Sequence, residues 1–377
     1  MFSFLKRKSY QHLNRVSISQ KAIRANHHNL QVFHPEASIC PVLKSNAYGH
    51  GLREVASVFD SLSCPYLVVD SLFEAYELYK MKVKTPILIM GYTSPKNFII
   101  KQLPFSVVIF DLDVAKTLNK YQKGCDIHLF IDTGMHREGV TLDDLPEFLS
   151  KLKKYKNINF VGLCSHFADS DNPTSSKFTE SQIKQFKHAL DIVNQNGFFP
   201  QWKHLSASAG SFKIKDPLFN MIRVGKAHYG INPLADNDPC KNRIKLTPVL
   251  EFSTTLAQIK RVPKGSFVGY SLTHRTKKTA TLGLLPAGYY EGIDRRLSNN
   301  GFVKIRDVFC PIVGQVSMNM TVIDISKLVN PQIGEKVIIY SSKLSDRNSI
   351  KKTTTSIGTI TYDLMIHINE TTKRFIV

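Results

Sequence analysis

Residues 41–51 read PVLKSNAYGHG, an apolar run that ends in one lysine and passes directly into a polar, glycine-rich turn. Residues 37–43 predict a buried strand, and the residues after Lys44 carry turn signals. Lysine is rarely buried unless it is paired or has reacted. A lysine at the carboxyl end of a strand lies where α/β proteins place their chemistry, and a desolvated lysine can attack an aldehyde to form a Schiff base. A structural loop is the alternative on the turn chemistry alone.

Around this stretch, short apolar runs alternate with longer amphipathic stretches. The predicted strands cover residues 37–43, 66–69, 86–90, 106–110, 126–131, 159–164, 202–206 and 221–224. The predicted helices between them include residues 72–81, 113–121, 142–155 and 180–194. Eight strand–helix units in series predict a (β/α)₈ TIM-type barrel, with a doubly wound open sheet as the alternative.

The pattern changes near residues 232–248, where the composition is typical of a linker. Short β-rich runs follow, at residues 254–262, 279–285, 302–305, 322–325 and 336–340. We therefore predict a barrel domain at residues 15–240 and a mainly β domain at residues 241–377. A short separate strand at residues 15–18 could pack with the second domain, and a helix at residues 19–31 leads into the barrel.

The composition of the 377-residue chain is that of a soluble globular protein, with 42% hydrophobic residues. The net charge of +20 leaves nucleic-acid binding open, but the basic residues are spread out and no nucleic-acid-binding motif is present. The six cysteines show no zinc spacing, so we expect no metal and a reducing, cytoplasmic setting. Residues 1–8 lack the order of a secretory signal, and no apolar run is long enough to cross a bilayer.

The lysine stretch resembles the motif of alanine racemases, in which this lysine carries pyridoxal 5′-phosphate. The resemblance extends from about residue 15 to residue 377 through several motifs in the family's order. It implies that Lys44 holds the cofactor and then acts as a base on one face of the substrate. It also implies that Tyr48 gives its hydroxyl to the cofactor phosphate.

Three further motifs follow predicted strands of the barrel. DTGMHREG at residues 132–139 is similar to the family's D-T-G-M-x-R-x-G, which implies that Arg137 lies near the substrate carboxylate. SHFA at residues 165–168 implies that His166 stacks on the pyridine ring. HLSASA at residues 204–209 implies that His204 contacts the arginine beneath the ring and that Ser208 binds the phosphate.

A fourth motif, RVGKAHYG at residues 223–230, resembles R-x-G-x-x-x-Y-G. The resemblance implies that Arg223 lies against the pyridine nitrogen. A permanently charged arginine there keeps the nitrogen unprotonated, so the ring withdraws electrons weakly and the carbanion is reprotonated quickly. Backbone N–H groups of Gly225 and Lys226 would complete the phosphate cradle.

The mainly β part carries the remaining motifs. GYS at residues 269–271 implies that Tyr270 is the second base, supplied by the partner subunit of a homodimer. GYYEG at residues 288–292 places Tyr289 at the substrate entrance, and Arg295 follows at the family's spacing. VSMNM at residues 316–320 implies that the Met318 N–H holds the substrate carboxylate. ITYD at residues 360–363 implies that Tyr362 reaches the phosphate.

The chain departs from the family at four of these positions. Phe130 stands where many members have a carbamylated lysine that orients Arg137, so we expect a less rigid Arg137 or another anion such as chloride, and weaker recognition of the substrate carboxylate. Ala207, Gln315 and Asn319 replace asparagine, arginine and aspartate respectively. Both proposed bases remain intact.

The resemblance implies an enzyme that interconverts L-alanine and D-alanine and supplies D-alanine for peptidoglycan. A racemase for serine or a wider set of amino acids keeps the same fold and bases, because pocket shape decides the substrate. A non-catalytic cofactor-binding protein is a third possibility, although single-domain barrel proteins of that kind lack the β domain that this chain has. A basic nucleic-acid-binding protein is the fourth.

Overall fold

The computed structural model describes residues 10–174 and 176–377, which form two compact units. The barrel unit comprises residues 20–248, and the β unit combines residues 10–19 with residues 249–377. The amino-terminal residues, in which we expect no secretory signal, lie outside the described residues. The first strand, β1 (Arg15–Ile18), belongs to the β unit and precedes the barrel. The predicted domain limits, residues 15–240 and residues 241–377, stay a prediction.

The barrel unit contains eight parallel strands that close on themselves. They are β2 (Ser38–Pro41), β3 (Leu67–Val69), β4 (Ile87–Ile89), β5 (Phe105–Ile109), β6 (Cys125–Phe130), β7 (Ile158–Cys164), β8 (Trp202–His204) and β9 (Met221–Val224). Strands β3 to β8 pair in sequence order, and β2 pairs in parallel with β9. The Leu43 N–H donates to the Val68 carbonyl at 2.7 Å and the Arg223 N–H donates to the Ser206 carbonyl at 3.1 Å, which closes the ring. The predicted barrel is confirmed, and the open doubly wound sheet is wrong.

Helices surround these strands in alternation. They are α1 (Gln20–Phe33), α2 (Lys44–Tyr48), α3 (Leu52–Phe59), α4 (Leu72–Lys80), α5 (Leu112–Tyr121), α6 (Leu145–Leu152), α7 (Ser176–Gln195) and α8 (Ser208–Lys213), with 3₁₀ turns at Pro95–Ile99 and Lys226–Tyr229. Local signals start several of them. Ser71 and Glu74 form a capping box at α4, and the Asp111 side chain accepts the first free N–H groups of α5. Among the described helices, none is both long and apolar enough to cross a membrane.

The barrel interior is packed with side chains rather than open. One buried cluster draws on seven of the eight strands or their immediate neighbours: Cys40, Tyr66, Val68, Leu88, Val108, Phe130, Cys164 and Met221. Because alternate residues of a strand face the same side, each strand delivers one or two of its side chains to this layer. In barrels with a packed interior of this kind, active sites lie in the loops at the carboxyl ends of the strands.

The β unit is built mainly of antiparallel strands. They are β10 (Leu250–Thr255), β11 (Gln258–Val262), β12 (Phe267–Val268), β13 (His274–Arg275), β14 (Ala280–Leu285), β15 (Phe302–Ile305), β16 (Val308–Pro311), β17 (Thr321–Asp324), β18 (Lys336–Tyr340) and β19 (Lys373–Ile376), with helices α9 (Ile350–Ile357) and α10 (Thr361–Ile366). Its larger sheet has the order β16-β15-β18-β10-β1-β19, in which β1 is antiparallel to β10 and parallel to β19. Residues 15–18 thus pair within this unit.

One predicted strand, at residues 254–262, is two strands. The chain leaves the larger sheet at Leu256, whose N–H donates to the Glu335 carbonyl, and enters the second sheet at Ala257, whose N–H donates to the Leu284 carbonyl, both at 2.9 Å. Strand β10 pairs with β18, whereas β11 pairs with β14. The apolar pattern runs on unbroken across this change of sheet, so it could not show the division.

Candidate active site

Lys44 begins a left-handed turn at the carboxyl end of β2. The four residues after it, at positions 45–48, all have φ between 52° and 55° although none is glycine. The Ala47 N–H donates to the Leu43 carbonyl at 2.7 Å, so the turn is hydrogen-bonded like one turn of a left-handed helix. Such a conformation costs roughly 1–2 kcal/mol per residue for L-amino acids. Strain of this kind persists only where the surroundings enforce it, and it concentrates at functional sites.

Two side chains hold this turn in place. The Glu74 carboxylate accepts the Ser45 N–H at 2.6 Å while it also completes the capping box of α4 with Ser71. The Asn46 side-chain oxygen accepts the Leu52 N–H at 2.7 Å, at the start of α3. The lysine turn is therefore tied to the amino-terminal ends of two neighbouring helices.

The Lys44 side chain is half-buried, with 44% of its surface exposed. Its Nζ lies 3.7 Å from Oδ1 of Asp70, which directly follows β3. Asp70 was missed in the sequence. The position was available from the pattern, because the carboxyl ends of adjacent parallel strands meet at one edge, and Lys44 and Asp70 come directly after the predicted strands at residues 37–43 and 66–69.

Arg223 occupies the end of β9 and is only 3% exposed. Its Nη1 donates to Nδ1 and to the backbone carbonyl of His204. Its Nη2 donates to the Ser165 carbonyl at 2.7 Å and to Nδ1 of His166 at 3.2 Å. Within the described residues, Nε–H is the one donor of this guanidinium that has no hydrogen-bond partner.

A buried histidine extends this network to a third strand. Nδ1 of His128 lies 2.8 Å from Nε2 of His204, and Gly162 on β7 has no side chain where the His128 ring packs. Because His204 accepts from Arg223 at Nδ1, it carries its proton at Nε2 and donates to His128. His128 was missed in the sequence, although it shares a strand face with Phe130, two residues away.

Burial keeps these histidines neutral. It lowers the pKa of His128 and of His166 to about 3 and that of His204 well below its ordinary value, and the charge of Arg223 adds to each shift. The charges of Arg137 and Lys44 lower the pKa of His166 further. Burial also lowers the pKa of Arg223, but a guanidinium remains charged at neutral pH.

A group of hydrogen-bonded polar groups lies at the start of α8. The Ser208 hydroxyl accepts the N–H groups of Gly225 at 3.1 Å and of Ala227 at 3.4 Å. A Cβ placed on Gly225 would stand 2.5 Å from the Tyr48 hydroxyl, so the tyrosine fits only because this residue is glycine. The structure thus brings Tyr48, Ser208 and Gly225 together, and Lys226 follows Gly225 in the chain; their binding of a phosphate stays a prediction.

Arg137 lies in the loop that follows β6. It forms a forked ion pair with the next residue, Glu138, and 56% of its side chain is exposed. Phe130 is packed in the barrel interior and is 3% exposed. Glu138 was not identified in the sequence, where it occupied an unspecified position of the D-T-G-M-x-R-x-G motif.

Tyr270 and Arg295, two of the predicted site residues, belong to the β unit. Tyr270 opens a 3₁₀ turn, Tyr270–Leu272, directly after Gly269 (φ 73°), and 71% of the tyrosine is exposed. The Gly269 backbone lies against Gln315, whose side-chain oxygen accepts from Nη2 of Arg295 at 3.2 Å. Tyr270 and Arg295 therefore flank one loop, residues 314–319.

The other end of that loop contains Met318 and is hydrogen-bonded to the segment of Tyr289. The Tyr289 N–H donates to the Ser317 carbonyl at 3.0 Å and the Tyr290 N–H donates to the Met318 carbonyl at 2.9 Å. Asn319 donates to the Glu291 carboxylate at 2.9 Å, so it is held within the same loop pair. Tyr362 lies outside this loop pair, and it is half-buried at the second position of α10.

The cysteines offer little reactivity. All six cysteines lie within the described residues and are free. Burial raises the pKa of Cys64, Cys125 and Cys164 to about 12, so they remain protonated thiols. In the described part of the chain, no three histidine, cysteine or acidic side chains are gathered to hold a metal ion.

Comparison with known proteins gives a consistent result. The family model "Alanine racemase, N-terminal domain" matches residues 18–233, and "Alanine racemase, C-terminal domain" matches residues 249–376. The chain is 33% identical over 374 residues to the alanine racemase of Lactobacillus acidophilus, covering 95% of this chain and 96% of that protein. It is 29% identical over 371 residues to the alanine racemase of Leptospira interrogans, covering 96% and 95%.

Solved structures resemble the whole chain. An alanine racemase of Clostridium difficile superimposes with a TM-score of 0.91 at 26% identity and covers 98% of this chain and 97% of that chain. The alanine racemase of Bacillus anthracis with bound L-Ala-P gives a TM-score of 0.90 at 26% identity, covering 98% and 96%. Similarity therefore extends over both units rather than over the barrel alone.

Proposed function

Because the chain belongs to the alanine racemase family, we propose that it interconverts L-alanine and D-alanine with pyridoxal 5′-phosphate as cofactor. The observation that carries this proposal is the arrangement of Arg223. It is buried and charged, and a single donor, Nε–H, remains unused. A cation aimed at one acceptor suits a pyridine nitrogen that must stay unprotonated.

The residues present fit the cofactor at both of its ends. The cradle of Ser208, Gly225 and Tyr48 offers hydroxyl and backbone donors to a phosphate, and a Cβ at Gly225 would displace the tyrosine from it. Lys44 stands at the same mouth with an accessible Nζ that can bond covalently to an aldehyde. We further propose that Lys226 and Tyr362 contribute to the phosphate site.

Racemisation requires two bases, since a proton taken from one face of the α-carbon must return to the other face. When bound, the cofactor stabilises negative charge on that carbon. We assign the proton at one face to Nζ of Lys44 and the proton at the opposite face to the hydroxyl of Tyr270. After one turnover the base that removed the proton is protonated and the base that donated one is deprotonated, so a proton must pass from the first to the second before the next turnover in the same direction.

The substrate needs groups that orient its carboxylate. We assign this role to Arg137 and to the Met318 N–H, and we place Tyr289 and Arg295 at the entrance. Neutral His204 and His166 orient Arg223 and exclude water from it, because their nitrogens use its Nη donors in a buried site.

We propose a homodimer in which Tyr270 acts in the site of the second copy. Its 71% exposure supports this role, as does the exposure of Phe267 and Leu272 in the same segment, because apolar surface of this kind is typical of an interface. We also propose that the enzyme works in the cytoplasm and supplies D-alanine for peptidoglycan. The free cysteines are consistent with a reducing setting.

The test is D-alanine formation from L-alanine by the purified protein with pyridoxal phosphate, beside Lys44→Ala and Tyr270→Phe. We expect conversion toward an equal mixture by the wild type and none by either variant. Mixing the two inactive variants under subunit exchange should restore roughly a quarter of the wild-type activity, since half the dimers are mixed and each has one intact site. No D-alanine from the wild type would refute the racemase, and no recovery on mixing would refute the shared site.

A further inference from the structure

Arg137 and Glu138 form a forked ion pair between adjacent residues. Nε and Nη2 of the arginine donate to the two carboxylate oxygens of Glu138, the second contact at 2.5 Å. Neighbouring side chains along an extended chain ordinarily point to opposite sides. Here the pair is flanked by two residues with positive φ, His136 (53°) and Gly139 (118°), which turn both side chains to one side.

The loop that carries the pair is closed tightly onto β6. The Asp132 N–H donates to the Val140 carbonyl and the Val140 N–H donates to the Phe130 carbonyl, both at 2.9 Å. A Cβ on Gly139 would stand 2.6 Å from the Asp132 nitrogen and 2.9 Å from the Phe130 ring. Glu138 therefore immediately precedes a glycine that packs closely against the Phe130 ring.

The Glu138 carboxylate faces the site rather than solvent. It is 23% exposed, less than half the exposure of its partner, and its charge acts on the buried Arg223 and Cys164. Its hydrogen bonds raise the pKa of Arg137, which stays a full cation. Since the pair occupies Nε–H and one Nη2 hydrogen, three guanidinium donors remain for a second anion.

We propose that Glu138 is a positioning residue, whose carboxylate holds the Arg137 guanidinium so that its remaining donors face the carboxylate of the amino-acid substrate. The inference rests on the proposed function. It replaces our expectation of a loosely held Arg137 or a bound chloride with an anion built into the loop. Phe130, which cannot carry a negative charge, is packed in the barrel interior.

The first test is Glu138→Gln, which keeps the size of the side chain and removes its charge. We expect the KM for L-alanine to rise about tenfold or more while kcat changes much less, because a displaced guanidinium weakens substrate binding before it affects proton transfer. The matched control is Glu147→Gln, which removes the carboxylate of the exposed Glu147–Lys151 pair in the same unit. It should leave both constants unchanged. An unchanged KM in Glu138→Gln, or an equal rise in the control, overturns the proposal.

Two further measurements separate positioning from general damage. Added formate should lower the KM of Glu138→Ala toward the wild-type value, since the small carboxylate can occupy the space that truncation opens. The Nε–H resonance of Arg137 in the full chain without cofactor, assigned by its loss in Arg137→Lys, should shift in Glu138→Gln and not in Glu147→Gln. An unshifted resonance overturns the proposal. This second readout needs no catalysis, so it stands apart from the failure of the proposed function itself.

Discussion

At the scale of single residues, Gly225 shows how a missing side chain shapes the site. The backbone of β9 passes so close to Tyr48 that any Cβ would collide with the hydroxyl and the ring. Two hydrogen bonds from the Gly225–Ala227 backbone also converge on the Ser208 hydroxyl. The cradle therefore depends on this glycine for close approach rather than for an unusual φ.

Gly225→Ala should weaken cofactor binding about tenfold or more, since overpacking of about 1–3 kcal/mol would push Tyr48 out of the cradle. The measurement is an absorbance titration of the cofactor-free protein with pyridoxal phosphate. Gly197→Ala is the control, because a Cβ there meets nothing within 4 Å although φ is +79°. That variant should lose some stability and keep its cofactor affinity. Equal affinities for the two variants would contradict the expectation.

At the scale of elements, the left-handed turn after β2 is the most unusual feature of the barrel unit. Four successive residues that are not glycine occupy a region that costs L-amino acids energy, and Glu74 and Asn46 compensate through backbone hydrogen bonds. The turn fixes where the Lys44 side chain starts. Its strain is local, so it can be relieved one residue at a time.

Ser45→Gly should raise the free energy of unfolding by about 0.5–1 kcal/mol, since glycine adopts positive φ without a steric penalty and the serine is exposed. Ser57→Gly is the matched control, because Ser57 is an exposed residue inside α3 with ordinary helical geometry. There the same substitution should lower the free energy of unfolding by about 0.5–1 kcal/mol. Urea unfolding of both variants checks the opposite signs, and a loss of stability in both would contradict the strain.

At the scale of the whole molecule, the barrel unit buries an unusual number of neutral histidines. His128, His166 and His228 all have a pKa of about 3, chiefly because of burial. His27 stacks on His228, and burial lowers its pKa as well. These buried histidines therefore take up protons at a lower pH in the folded barrel than in the unfolded chain.

The stability of the barrel should fall as the pH drops below about 6.5. Between that pH and about 3, the unfolded chain binds a proton at each histidine and the folded chain does not, so each contributes a loss of up to about 1.4 kcal/mol per pH unit. Above about pH 6.5 these histidines are neutral in both the folded and the unfolded chain, so they cause no loss of stability there. The fluorescence of Trp202, the only tryptophan of the chain, reports urea unfolding of this unit. His228→Gln should flatten the pH dependence, and a midpoint that stays constant between about pH 7.5 and about pH 5 would refute it.

Much of this molecule follows from local patterns. Apolar runs of strand length alternate with amphipathic stretches, so the eight barrel strands and helices α4 to α7 could be located from the chain alone, whereas the short helices α2, α3 and α8 were not predicted. The motifs placed Lys44, Arg223 and Ser208 at strand ends because strand termini and turn residues are encoded within a few positions. The division of residues 254–262 between two sheets was invisible, because it depends on partners far away in the chain.

The hydrogen-bond and ion-pair partners of the site residues depend on tertiary contacts that no local sequence pattern encodes. Asp70, His128 and Glu138 have roles only because separate strands and a tightly closed loop bring their side chains to Lys44, His204 and Arg137. The left-handed turn has the same origin, since its strain is maintained by Glu74 from the next strand–helix unit. Residue type and spacing were sufficient to locate the barrel strands and to nominate candidate site residues. Hydrogen-bond partners, protonation and strain are properties of the packed barrel, because burial and proximity arise only when distant segments meet.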